Sequence, residues 1–194
     1  MNLTAITQEE EIADSHLLDS FLLLPYLRGE SLIDVGSGAG FPGMLVKLLR
    51  PELKLVLLDS TKKRISFLEE LIAELGLSQI TAVHGRAEEV AHLPEYREKF
   101  DTAVARAVSS LDILLELCLP LVKTGGRFLA MKGKDDELDL AAKALPVLGA
   151  GKARAEHYLL PGTDVQRSMV IVPKEKPTKQ RYPRPFAAIK KLPL

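Results

Sequence analysis

The chain has 194 residues, 46% of them hydrophobic and 27% charged, which suits one globular domain with a sizeable core. Its 26 basic residues are balanced by 26 acidic ones, so no global field draws it to nucleic acid. A single cysteine, Cys118, excludes an internal disulfide and a Cys-rich metal site and fits a reducing compartment, and no run of about 18 apolar residues is available to span a bilayer.

Residues 9–24 read as a helix, with Ile12, Leu17, Leu18, Phe21 and Leu22 near helical spacing. No basic region followed by an apolar core precedes it, so no signal peptide is evident. Ser31–Val35 is a short apolar strand that runs into the loop Gly36-Ser-Gly-Ala-Gly40. A helix opens at Pro42, where the missing N–H would have been an orphan donor anyway, and ends near Arg50, before Pro51. A second buried strand over Leu53–Leu58 closes on Asp59. Ser60-Thr-Lys-Lys opens a helix to Leu75, with Gly76 as its C-cap. Ile80–His84 and Thr102–Arg106 are predicted strands three and four. A helix over Leu111–Val122 leads through Gly125-Gly126 to a fifth strand, Arg127–Met131. Asp136–Leu145 reads as a helix, and Ala153–Leu160 with Ser168–Val172 as a closing antiparallel hairpin.

This alternation predicts an α/β fold, a mostly parallel sheet with helices on both faces. The domain is expected over 1–173, with 1–29 as a helical lead-in, followed by a basic tail over 174–194. From Lys174 to Lys191 there are seven Lys or Arg and one acid, Glu175, and the tail is expected to lie extended on the surface.

The glycine loop is the most informative segment. Gly36, Gly38 and Gly40 let backbone approach a nucleoside-containing cofactor closely. A dinucleotide fingerprint would place its third glycine at position 41, which is Phe41, so the spacing leans toward a cofactor without a pyrophosphate. S-adenosylmethionine is the common one. Asp59 follows Gly40 by 19 residues, where an acid in a doubly wound sheet accepts hydrogen bonds from both ribose hydroxyls. Asp34 either contacts the ligand or orients only the loop. After the third strand, Glu88 and the backbone at Ala87 can reach an adenine amino edge, although Glu88 also suits a helix start.

Arg106 ends the fourth strand and faces the crevice, free to bind a phosphate or a cofactor carboxylate, or to pair with Asp101 or Asp112. Lys132 ends the fifth strand and is either a phosphate ligand or solvated. His16 and Asp19 stand three apart on one helix face, which suits a satisfied packing pair more than a ligand or active-site role. The remaining histidines, 84, 92 and 157, lack ligand spacing, so no metal is expected. Cys118, between Leu117 and Leu119, reads as a core filler.

Asn2-Leu-Thr-Ala-Ile6, His16-Leu-Leu-Asp-Ser20, Asp34-Val-Gly-Ser-Gly-Ala-Gly-Phe-Pro-Gly43, Leu58-Asp-Ser60 with Lys63-Arg64 and Phe67-Leu68, Arg86-Ala-Glu88 and Ala105-Arg-Ala107 occur in the order of one family. Lys132-Gly133, Arg181-Tyr-Pro-Arg184 and Lys190-Lys191 continue the series. The chain resembles the bacterial small-subunit (16S) ribosomal RNA guanine-N7 methyltransferases of the RsmG (GidB) type over nearly its whole length. The resemblance implies a cytoplasmic enzyme with the seven-stranded class I, S-adenosylmethionine-dependent fold. It carries cofactor contacts onto Gly36, Phe41, Ala87, Glu88 and Arg106. It also makes Arg106 and Lys132 candidates for placing the guanine or its phosphate. Two departures stand out: relatives usually have a further helical region ahead of the Asn-Leu-Thr segment, and the tail reads Pro185-Phe-Ala-Ala-Ile189 where many have a Gly-x-Pro turn.

Guanine N7 has a free lone pair, so the implied reaction needs no nucleophilic side chain and no obligatory base, only placement and a suitable field. No Asp-Pro-Pro-Tyr-like segment follows strand four; Ala105-Arg-Ala-Val-Ser109 stands there. Arg181, Arg184, Lys190 and Lys191, interleaved with Tyr182 and Phe186, are expected to face RNA, and loss of everything after Pro173 is expected to abolish RNA binding while sparing cofactor affinity. A monomer is expected. Two other readings stay open: a non-catalytic ribosome-binding protein with this fold, and a nicotinamide-dependent dehydrogenase.

Overall fold

The computed structural model describes residues 17–194. It opens with helical turns over residues 17–23 (α1) and a 3-10 turn at Leu24–Tyr26. Alternating elements follow: β1 (Ser31–Val35), α2 (Gly43–Leu49), β2 (Lys54–Asp59), α3 (Lys62–Glu74), β3 (Ile80–His84), α4 (Ala87–Val90), β4 (Phe100–Arg106), α5 (Leu111–Cys118) and β5 (Val122–Lys132). Two short helices, α6 (Leu138–Ala141) and α7 (Ala144–Val147), precede β6 (Arg154–Leu159) and β7 (Gln166–Pro173), and α8 (Phe186–Lys191) closes the chain.

The seven strands form one sheet in the order β3-β2-β1-β4-β5-β7-β6. The first five are parallel, while β7 is antiparallel to both β5 and β6. The chain leaves β1 for β2 and β3, then returns to pair β4 on the opposite side of β1. That reversal opens a crevice at the carboxyl ends of β1 and β4, where open α/β sheets bind ligands.

Strand side chains alternate between two apolar layers. Ile33, Val35, Ala103, Ala105, Phe128, Ala130, Val170 and Val172 face α4 to α8, and Leu32, Val104, Leu129, Met131, Met169 and Ile171 face α1 to α3. Cys118 is fully buried in the first layer, among leucines, and burial pushes its thiol pKa up. Buried Lys47 is satisfied by the carbonyls of Pro51, 2.6 Å away, and Leu53, 2.5 Å away, which pins the turn from α2 into β2.

Several boundaries differ from the sequence reading. The helix expected over Leu111–Val122 stops at Cys118 and tightens into a 3-10 turn, Leu119–Leu121, because Pro120 has no N–H and crowds the preceding turn. β5 begins earlier than expected and takes in Gly125-Gly126; a Cβ on Gly126 would lie 2.5 Å from the Asp101 carbonyl. The expected Asp136–Leu145 helix is two short ones, the first starting late because the Asp136 carboxylate accepts the Leu138 N–H at 2.9 Å. Of the helix expected over 9–24, residues 9–16 lie outside the described part, as does His16.

Residues 174–194, expected as an extended surface tail packed on the domain or extending from it, are packed into it: Lys174, Thr178, Tyr182, Pro183 and Ile189 are buried. The Lys174 ammonium donates to the carbonyls of Leu119 and Leu148, at 2.8 and 3.3 Å, and to the Thr178 hydroxyl, with Glu98 at 3.4 Å. Burial lowers the Lys174 pKa to about 8, against the pull of Glu98. Arg97 donates to the carbonyls of Tyr182 and Thr178, both at 2.9 Å. The segment completes the core, so its loss would uncover charged groups inside the domain and could not leave the rest intact. Ile189→Ala is expected to lower stability by about 2–4 kcal/mol in urea unfolding, against at most about 0.5 kcal/mol for Lys190→Ala on the exposed side of the same helix.

Candidate cofactor and substrate site

Two carboxylates shape the loop between β1 and α2. Asp34, 1% exposed, accepts the Gly43 N–H at 2.9 Å through Oδ2, while the Ser37 hydroxyl donates to the Asp34 carbonyl at 2.9 Å. Asp59, at the end of the neighbouring strand, accepts the N–H of Gly38 at 3.0 Å and of Thr61 at 2.8 Å. Gly36 N–H donates to the Leu58 carbonyl at 2.7 Å. The loop is thereby tied to β2 at Gly36 and Gly38 and to β1 at Gly43. Gly36 (φ 77°) and Gly40 (φ 100°) lie in the left-handed region, and a Cβ on Gly36 would come within 2.6 Å of the Val108 side chain.

Above this loop is a cavity of about 350 Å³, within the size range of small-ligand pockets. Gly36, Asp59, Ala87, Glu88, Val108 and Phe186 are among its lining residues. Of the expected cofactor residues it thus gathers Gly36, Asp59, Ala87 and Glu88 on one wall system. Gly38, Gly40 and Phe41 shape the loop without lining the cavity; Gly40 packs so tightly that a Cβ would meet Met44 at 2.6 Å. The Asp59 carboxylate stays ionised: burial raises its pKa, but the Thr61 and Gly38 N–H groups and Arg64 outweigh burial and set it below the ordinary value. An anionic acceptor beside an apolar floor of Gly36 and Leu58 fits the ribose of a nucleoside cofactor.

A second cavity of about 340 Å³ meets the first at Ala107, which lines both and has φ 55°. Asp19, Arg106, Lys132, Glu137 and Arg167 supply its charged groups. Arg106 lies here and not in the first cavity. Its guanidinium is 3.7 Å from Asp19, whose Oδ2 also accepts Arg167 Nε at 3.1 Å. Of the two partners expected for a paired Arg106, Asp101 sits at the other end of β4, held by Lys123 and Ser31, and Asp112 accepts the Ser110 hydroxyl at 2.6 Å; the carboxylate found beside Arg106 is Asp19. Lys132 donates to the Ser109 carbonyl at 2.8 Å and to Glu137 at 2.9 Å. The same Glu137 oxygen accepts the Leu111 N–H at 2.6 Å and so anchors the start of α5. The alternatives for Lys132 therefore resolve into a held, mostly buried cation at the cavity wall. Arg167 and Glu137 carried no local sequence signal, because only the sheet order brings the start of β7 beside the ends of β4 and β5.

The basic tail residues separate into two kinds. Arg184 is committed to buried Glu116, at 2.6 Å, and to the Leu192 carbonyl at 3.1 Å, which corrects its assignment as an RNA-facing cation. Arg181, Lys190 and Lys191 are exposed, with Arg181 stacked 4.9 Å from the Tyr182 ring centroid. Among the described residues no group of three or more His, Cys, Asp or Glu comes together as a metal site, and no helix is long and apolar enough to cross a membrane.

Burial raises the Asp34 pKa from 3.8 to about 7, with the Gly43 N–H and Arg106 opposing it. A carboxyl raised on folding stabilises fully below its unfolded pKa of 3.8 and loses that contribution as pH rises through about 7. Asp34→Asn keeps an acceptor for Gly43 and removes the charge. It is expected to melt above the parent at about pH 8 and to lose that advantage near about pH 4, as read by thermal unfolding across pH.

Comparison with known proteins agrees with this geometry. The family model for GidB, rRNA small subunit methyltransferase G, matches residues 1–158. Ribosomal RNA small subunit methyltransferase G of Acetivibrio thermocellus is 48% identical, over 100% of this chain and 81% of that protein. The Lactobacillus helveticus protein of the same name is 46% identical, over 100% of this chain and 84% of its own. Among solved structures, M. jannaschii TYW2 in complex with AdoMet superposes with a TM-score of 0.64 at 11% identity, covering 81% of this chain and 74% of that one. A SAM-dependent O-methyltransferase from Thermotoga maritima gives 0.60 at 17% identity, covering 86% and 66%. The structural likenesses establish the class I methyltransferase fold, and the match of sequence along the whole chain establishes the lineage: this protein belongs to the rRNA small subunit methyltransferase G family.

Proposed function

We propose that the protein methylates N7 of a guanine in small-subunit ribosomal RNA, with S-adenosylmethionine in the cavity above the glycine loop and the guanine in the cavity beside Arg106. The observation that carries this reading is the pair of cavities that share Ala107 as a lining residue, one suited to a nucleoside and the other lined by three cations and two acids. When bound, S-adenosylmethionine supplies a methyl group on a sulfonium, open to attack by a lone pair.

The chain's own groups then have limited tasks. Asp59 accepts from the ribose hydroxyls, and Glu88 with the Ala87 backbone recognises the adenine edge. Arg106, Arg167 and Lys132 provide donors for the guanine O6 or the flanking phosphate, while N7, which bears no proton, keeps its lone pair for the methyl group. No side chain has to act as a base, and buried Cys118 takes no part. Asp19 and Glu137 hold these cations in place at the cavity wall. Exposed Arg181, Lys190 and Lys191 add phosphate contacts outside the pocket. The enzyme acts as a cytoplasmic monomer. Family membership sets aside the nicotinamide dehydrogenase.

Small ribosomal subunits from cells lacking the modification, incubated with the protein and methyl-labelled cofactor, are expected to acquire label at one guanine N7, mapped by chemical cleavage at the modified base. RNA binding with no transfer of label would instead leave a non-catalytic ribosome-binding protein. Asp59→Ala is expected to raise the cofactor Kd at least about tenfold by calorimetry, the scale of a lost charged hydrogen bond. Unchanged affinity would remove Asp59 from the site.

A further inference from the structure

The cofactor cavity is not walled by the sheet and its loops alone. Phe186, the first residue of α8, lines it together with Leu117 of α5 and Val108 of the loop after β4. Ala87 and Glu88 line the same cavity. Its lining thus combines apolar side chains, an aromatic ring among them, with a carboxylate. A purine base has the matching surfaces: flat apolar faces and a polar amino edge.

Phe186 is held in place from both sides. On the α5 side, fully buried Glu116 accepts the Arg184 backbone N–H at 2.8 Å, Nε at 2.8 Å and Nη2 at 2.6 Å. A buried carboxylate is tolerated only when paired in this way, so the pairing is strongly determined. On the α4 side, the Pro183 carbonyl lies 2.8 Å from His92 Nε2, and Arg97 donates to the Tyr182 carbonyl at 2.9 Å. The C-terminal segment therefore bridges α5 and the loop that follows α4, and Phe186 comes two residues after the Arg184 anchor.

We infer that the C-terminal segment is part of the cofactor site, with Phe186 closing the purine end of the pocket against the adenine and Arg184–Glu116 as its positioning pair. This rests on the proposed cofactor reading. It follows that docking of the tail and binding of the cofactor favour one another.

The chain contains no tryptophan, which makes a direct test available. Phe186→Trp introduces a single indole at the pocket wall. Titration with S-adenosylhomocysteine is expected to give a saturable change in its emission, with a midpoint equal to the Kd from calorimetry on the same variant. Phe186→Ala, confirmed as folded by circular dichroism, is expected to raise that Kd roughly five- to tenfold, the effect of a lost ring–base contact. In the F186W background, Glu116→Gln is expected to reduce both affinity and emission amplitude at a temperature well below its melting midpoint. Ligand binding to F186W without any emission change, or parental affinity in F186A, would overturn the assignment. Absence of binding heat in the parent itself would overturn the cofactor reading and this assignment together, and it is told apart from the other outcomes by that parental measurement.

Discussion

Two buried carboxylate contacts at the mouth of the sheet support everything built above them. Asp34 holds the Gly43 N–H and Asp59 holds the Gly38 N–H, so neighbouring strands grip the glycine loop from both ends. The charge-assisted bond at Asp59 contributes about 1.5–3 kcal/mol where it forms and the bond to the neutral Asp34 carboxyl about 0.5–1.5 kcal/mol, and more is lost if a buried acceptor is left alone. The grip fixes the start of α2, keeps the loop low over the ends of β1 and β2, and thereby leaves the cavity above it open. The two acids differ in character. Asp34 is buried and pushed toward neutrality, whereas the donors around Asp59 keep it ionised. One is an internal brace and the other an anionic face toward the pocket.

Cations are divided in a similar way. With a formal net charge of zero, attraction to RNA has to come from local placement and not from the whole molecule. Several basic side chains are consumed by the fold: Lys47 and Lys174 saturate carbonyls in the interior, Arg97 binds the C-terminal segment and Arg184 neutralises Glu116. Of the rest, Arg106, Lys132 and Arg167 line the second cavity, Arg181, Lys190 and Lys191 are exposed near the C-terminus, and the others are spread over the surface. Counting lysines and arginines in the tail therefore overstates how many can meet phosphate.

The C-terminal segment links stability to the site. Ile189 fills the same apolar layer as Cys118 and Val172, and three residues earlier Phe186 reaches the cavity wall. A short helix that completes the core also completes the pocket. Removing the tail is therefore expected to disturb the cofactor pocket together with any RNA contact.

The amino-acid sequence by itself determined the elements whose causes are local. β1 and β3 begin and end where alternation and flanking turn residues place them, and the helix after Pro42 starts as expected. Gly36, Gly40 and Asp59 were legible because a positive φ and a spaced acid leave marks within a few residues. The tertiary structure alone decided the rest. Arg167 meets Asp19 across 148 positions and Arg184 meets Glu116 across 68, and nothing near either arginine signals its partner. Expected RNA contact and observed structural pairing are both ordinary roles for an arginine; which one applies depends on whether folding carries a buried carboxylate to it. Burial of a charge is a property of the packed molecule, and so the second cavity, the docked tail and the place of Phe186 emerged only once the sheet had been assembled.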